Sequence, residues 1–283
     1  MISKMSEHEY HKLDCLSASG MRYFLRSPSH YMENKLNPKS PTDAMIFGTL
    51  CHRVVLEYED AVGQYYIFDD TDILPLCVNK DGSKSKKPRS TDYYKAWKNQ
   101  FELEHEDKIL ASQDDWNTAV RIRKGIQAHP KASALLAMGG HIEQSLQWEH
   151  ELGVKLKGRP DFYIPDYHAD YGLVVDLKIT NNSSASAFSR TVGSFRYDIS
   201  MANYCEGLEI LTGKPYKAAF IAVEVEAPHV VMVYHMSDND LNMAKHEIYG
   251  QVRKFKQCME SGIWHGYDET ENDEIEIPVW AYQ

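Results

Sequence analysis

Asp161, Asp176 and Lys178 lie within residues 158–180, GRPDFYIPDYHADYGLVVDLKIT, where two strand-like runs flank a turn. Taken as an antiparallel pair with the turn centred near residues 168 and 169, these runs set Asp161 across from Asp176. Opposed residues on one face of such a pair have Cβ atoms about 5 Å apart. Side chains alternate with a period of two, so Asp176 and Lys178 share that face. Opposed carboxylates destabilise a sheet unless something compensates them, and a divalent cation held by oxygen ligands does so directly. Such a cation polarises a phosphodiester and lowers the pKa of a bound water. Lys178 beside that water can position it or stabilise the developing charge. The plain alternative is a surface hairpin with solvated acids. The apolar run VVDLK argues against it, because burying an unpaired carboxylate is costly.

The surrounding pattern supplies elements to hold this hairpin. Residues 16–36 read as a helix capped by Ser17 or Ser19 and broken or restarted at Pro28. Residues 44–58 form a second helix, 64–69 a short strand, and 91–109 and 113–128 two further helices. KASALLAMGG is a short helix ended by glycines. HIEQSLQWEH, VKLKGRPDFYI and GLVVDLKIT then read as three successive strands. A helix over 198–212, a strand pair around APH and a long closing helix complete the chain. The expected fold is one α/β domain over 1–283: a helical part to about 140, a sheet-bearing core over 141–260 and an acidic tail from 266.

The net charge of −10 does not decide the partner, because it is unevenly spread. Residues 268–276, DETENDEIE, hold six acids and no base, whereas residues 78–98 hold seven Lys or Arg against two Asp. Lys80, Lys84, Lys86, Lys87 and Arg89 read as a mobile loop, either solvated or gripping DNA phosphates. Five scattered cysteines with no CxxC pair argue against a disulfide framework, a zinc site or an iron–sulfur cluster, and fit a reducing cytoplasm. No run of 18 apolar residues exists, so no membrane span is expected. His150, His168 and His229 lack supporting context and read as structural or exposed.

RPD, a hairpin and DLK together resemble the PD-(D/E)xK nuclease signature. Within that superfamily, the blocks FGTLCHRVVLE, GRPDFYIP, VVDLKIT and FRYDISMANYCEGLEILTG resemble, in order, the RecE-like exonucleases (exonuclease VIII) of phage type. The resemblance implies a restriction-endonuclease-like core, a mostly antiparallel or mixed central sheet flanked by helices. It implies Asp161, Asp176 and His52 as metal-site residues, with the Leu177 backbone carbonyl beside them. Lys178 corresponds to the catalytic lysine, Tyr204 to the tyrosine of a QxxxY helix motif, and Glu143 to an acid of the preceding strand. Ser200 stands where that motif has glutamine, and serine can neither reach as far nor donate two amide hydrogens. Gly48 is expected to let the His52 helix approach the sheet. The implied cofactor is Mg²⁺, with Mn²⁺ able to substitute, and the implied substrate is the end of linear double-stranded DNA. Resection of the 5′ strand, a homo-oligomeric ring and a RecT-like single-strand annealing partner follow from the same resemblance. Lacking the cysteine set of the cluster-bearing RecB-like enzymes, the chain resembles the cluster-free branch. An endonuclease, a single-strand-specific nuclease and a catalytically silent DNA-binding scaffold are the alternatives.

Overall fold

The computed structural model describes residues 1–106, 108–267 and 276–282, so nearly all of the acidic segment 268–276 lies outside the described residues. Strand β1 (Ile2–Ser3), helix α1 (Glu7–Lys12) and strand β2 (Leu16–Ser17) open the chain. Ser17 caps α2 (Ala18–Arg26) and Ser27 caps α3 (Pro28–Leu36), each side chain accepting a backbone N–H three residues on. Pro28 starts the second of these helices at a position where its missing N–H costs nothing. Helix α4 (Asp43–Leu56) is followed by α5 (Tyr58–Gln64) and strand β3 (Tyr65–Phe68).

Helix α6 (Asp92–Glu104) ends before the expected residue 109. Ile109–Ser112 is instead strand β4, parallel to β3, because a partner strand outweighs local helix preference. Helices α7 (Gln113–Ala128) and α8 (Pro130–Leu136) follow. The basic segment, read from sequence as a mobile loop, folds on itself: Val78 bridges Lys84, and Ser83 hydrogen-bonds Asp81.

The remaining elements are β5 (His141–Ile142), β6 (Ser145–Glu149), β7 (Lys155–Gly158), β8 (Phe162–Ile164), β9 (Gly172–Thr180), α9 (Ala185–Phe195), α10 (Tyr197–Thr212), β10 (Tyr216–Glu224), β11 (Val231–His235) and α11 (Asp238–Ser261). Two runs expected as single strands are each broken once, into β5 and β6 and into β7 and β8. Pro160 has no N–H to give a ladder, and Glu143 has a left-handed φ of 45°. The register nevertheless continues across the break, with Leu146 opposite Gly158 on one side and Ile142 opposite Phe162 on the other. One bent antiparallel pair thus belongs to two sheets, a four-stranded one ordered β1-β6-β7-β2 and a five-stranded one ordered β11-β10-β9-β8-β5.

The five-stranded sheet is mixed. β9 and β10 run parallel over nine pairs through the α9–α10 crossover, while the other ladders are antiparallel. Its strands are buried on both faces. Val174 joins a cluster with Met21 and Phe24 of α2, Met201 and Leu208 of α10, and Ile248 and Phe255 of α11. Leu173, Val175 and Leu177, on the opposite face, join Leu50 and Val54 of α4, Ile122 and Ile126 of α7, and Leu135 of α8. The result is the helix-flanked mixed sheet of a restriction-endonuclease-like core. Gly207 lets α10 lie against the four-stranded sheet, since a Cβ there would meet the Trp148 ring at 2.6 Å. No helix among the described residues is long and apolar enough to cross a membrane.

Candidate active site

Phe162 pairs with Val175, and that register carries one step further sets Asp161 opposite Asp176. The β5–β8 register, continued likewise, sets Glu143 opposite Asp161, whose carbonyl accepts the Glu143 N–H at 3.0 Å. An acidic row therefore crosses three adjacent chain segments. Asp161 Oδ2 accepts the Leu177 N–H at 2.8 Å, and its Oδ1 lies 3.4 Å from Nδ1 of His52 on α4. Asp176 is 3% exposed, and its Oδ2 contacts the ammonium of Lys178. Lys178 Nζ also lies 3.5 Å from the Leu177 carbonyl oxygen.

Charge follows from these neighbours. Burial opposes ionisation of Asp161, yet His52, Lys178 and the Leu177 N–H hold its carboxyl well below the usual range. Asp176 meets the Lys178 ammonium. Burial pushes its carboxyl up to about 6, with Asp161 adding to the rise and Lys178 opposing it. His52 and Lys178 are both raised, because the carboxylates outweigh the burial that would neutralise them. Burial, then the Asp161 charge, raises Glu143. Burial also holds the Tyr204 phenol well above its ordinary value, with Asp176 adding to the effect.

Among the described residues, no three His, Cys, Asp or Glu side chains form a ready-made ligand set. The donors still suit a hard divalent cation. Asp176 Oδ2 is buried with only an ammonium against it, and the row offers further carboxylate oxygens with imidazole beside them. Asp161, Asp176 and His52 are the residues that would hold it.

A cleft of about 160 Å³ opens onto Asp161, His52 and Glu143, walled by Glu7, Tyr10, Thr49, Arg53 and Arg159. A larger cavity of about 550 Å³ lies between α2 and α11, but no carboxylate lines it among the described residues. Tyr204 packs its ring on Gly158, where a Cβ would sit 2.8 Å from it, and Ser200 lies half-buried one turn earlier on α10. Glu143 sits between strands rather than within one. Gly48 faces open space, so it does not provide the expected close approach of α4 to the sheet. Lys84, Lys86, Lys87 and Arg89 do not line the cleft. Arg89 instead holds the buried carboxylate of Asp70 at 2.8 and 3.1 Å and reaches Asp114 at 3.2 Å. His150 is buried against Glu206 at 3.4 Å, His229 is buried, and His168 is exposed.

Sequence reading did not foresee the N-terminal wall. Lys157 donates to the carbonyls of Tyr10 and Leu13, both at 2.9 Å. Arg159 donates to the Met5 carbonyl and, at 3.1 Å, to that of Glu143. Both cations also face the Tyr10 ring, so residues 157 and 159 fasten α1 beside the cleft. Their spacing with Asp161, three alternate positions in KGRPD, was the available signal.

Residues 17–273 match the family described as PDDEXK-like domain of unknown function (DUF3799). The chain belongs to this family. It thereby joins the PD-(D/E)xK nuclease superfamily. No curated protein matches the chain. Among solved structures, a candidate exonuclease from Eubacterium rectale is similar, with a TM-score of 0.59 at 15% identity, over 98% of this chain and 96% of that one. At that identity the likeness concerns the fold. The protein SSO0001 aligns over 74% of this chain and 86% of its own at 14% identity, with a TM-score of 0.30 that carries no argument.

Proposed function

We propose that the protein is a metal-dependent exodeoxyribonuclease that acts on linear double-stranded DNA, degrading the 5′-ended strand and leaving 3′ overhangs. The observation that carries this reading is the row Glu143, Asp161 and Asp176 on adjoining segments, with Lys178 against the most buried of the three. The name of the Eubacterium rectale protein supports an exonuclease, and the motif resemblance supports the polarity, the ring and an annealing partner. Mg²⁺, when bound, would polarise the phosphodiester and acidify a water. Asp161 and Asp176 would provide its anionic oxygens, and the Leu177 N–H fixes the orientation of Asp161. His52 keeps a proton-bearing or ligating nitrogen beside Asp161. Lys178 brings a permanent positive charge to the point where the nucleophile loses its proton and the phosphate gains charge. Tyr204, protonated throughout the physiological range, offers an O–H to a phosphate oxygen.

The test is cleavage of linear duplex with Mg²⁺, labelled at the 5′ or the 3′ end, beside a closed circle. Early release of 5′-labelled mononucleotides with an intact circle is expected. Nicking or linearisation of the circle identifies an endonuclease, and no cleavage in Mg²⁺ or Mn²⁺ removes the reading.

A further inference from the structure

Lys178 has a neighbour that no motif assigns. Its ammonium lies 4.8 Å from the centroid of the Tyr197 ring, within the range of a cation–π contact. Tyr197 is the first residue of α10, and the backbone delivers it there by an unusual route. Arg196 closes α9 in the left-handed conformation, φ 53° and ψ 46°, and begins α10 in the same step. For a residue with a Cβ, that conformation persists only where its surroundings impose it. Here the Arg196 guanidinium grips Asp198 at 3.1 and 3.0 Å and Glu247 of α11 at 3.1 Å. Arg22 of α2 holds the preceding carbonyl, that of Phe195, at 3.1 Å. Phe195 and Tyr197 stack at 5.6 Å with an interplanar angle of 16°, and Phe195 is the exposed member of the pair.

We propose that Tyr197 is the positioning residue of Lys178, its ring face holding the ammonium when Asp176 is engaged elsewhere. Besides a long contact to the Leu177 carbonyl, Lys178 meets Asp176 and Tyr197, and these two differ in what they can do. A carboxylate that ligates a divalent cation no longer matches an adjacent ammonium, whereas an aromatic face competes for no ligand. With Asp176 as its sole partner, Lys178 would be released from the site as that carboxylate changed partners. With Tyr197 fixed by the Arg196 turn, it stays over the acidic row. The inference rests on Lys178 acting in catalysis as proposed above, but the contact itself can be read without cleavage.

The experiment compares Tyr197→Phe, which keeps the ring, with Tyr197→Leu, which removes it. Reductive methylation of the metal-free proteins, resolved residue by residue by mass spectrometry, should label Lys178 at the wild-type rate in the Phe variant. The Leu variant should label it about 5- to 30-fold faster. Cleavage with Mg²⁺ should show the same split, kcat falling about 5- to 30-fold for Leu with KM for duplex within about twofold, and Phe close to wild type. If the Leu variant loses its cooperative melt, Tyr197→Met, nearer in volume, takes its place. Wild-type labelling of Lys178 without the ring overturns the proposal, as does equal impairment of the Phe and Leu variants. A wild-type enzyme that cleaves nothing removes the catalytic reading alone, and the labelling still decides the contact.

Discussion

Lys157 on β7 and Lys178 on β9 are two partly or fully buried lysines whose partners differ in kind. Lys157 is 6% exposed and bonds backbone carbonyls of the segment around α1. Carbonyl dipoles satisfy its hydrogens without matching its charge, so burial lowers its pKa. Lys178 meets carboxylates, and Asp176 and Asp161 raise its pKa although burial opposes them. The first lysine fastens a wall and the second faces a site whose charge can change. Burial of a cation therefore says little about function until its partners are named.

Substitutions should separate the two regions. Asp176→Asn is expected to have the largest effect, lowering cleavage by about 10²–10⁴-fold and abolishing calorimetric Mn²⁺ binding. Lys178→Met should lower cleavage by about 10²–10³-fold yet leave Mn²⁺ affinity near wild type, since an ammonium is no ligand. Equal loss of Mn²⁺ affinity in both variants would erase the distinction between ligand and lysine.

Lys157→Met should do the reverse. Carbonyls around α1 lose their donor, which costs about 1–3 kcal/mol and lowers Tm by roughly 3–8 °C. Cleavage by the folded fraction should fall far less than for Lys178→Met. A Tm at the wild-type value would show that α1 is held by other contacts.

The acidic row gives the metal-free protein a pH signature. Folded Asp176 keeps its proton up to about pH 6, whereas the unfolded chain releases it near 3.8. Between those values the folded state holds more protons, so stability falls as pH rises. Asp161 acts oppositely: its stabilisation is present above the unfolded value and is lost as pH drops below it. Asp176→Asn should therefore gain about 1–3 kcal/mol on wild type between pH 4 and 6, read as a growing difference in melting.

The smallest effect is expected far from the cleft. Replacing Lys84, Lys86 and Lys87 with serine should flatten the slope of log K against log salt by about 2–3 if all three touch phosphate. Arg89 belongs in a separate experiment because Asp70 already engages it. An unchanged slope assigns the DNA grip to other cations.

The hairpin was legible because a period-two pattern and a short turn admit few registers, and the DLK spacing follows from the same alternation. The first of the paired N-terminal helices was readable from its capping serine, Ser17. The break at Glu143 and Pro160 was hidden by the unbroken register on either side, which looks continuous in one dimension. Residue 157 meets the carbonyl of residue 10, and no local pattern announces a contact across that separation. Helix α9 and the Arg196 turn were missed because their conformation is imposed by Glu247 and Arg22, not by the residues of the turn alone. Gly48 misled because a glycine in a helix signals freedom without saying what stands opposite.

The bent ladder has a mechanical consequence. Leu146 and Leu156 anchor one arm in the cluster around α10 and α11, while Phe162 and Ile164 anchor the other in the cluster around α4 and α7. Glu143 and Asp161 lie at the joint. If one cluster slides against the other, the spacing of the acidic row changes before any strand unpairs. On heating, cleavage should therefore be lost at a lower temperature than the far-UV circular dichroism signal, and coincident loss of the two would show that the joint holds as long as the strands.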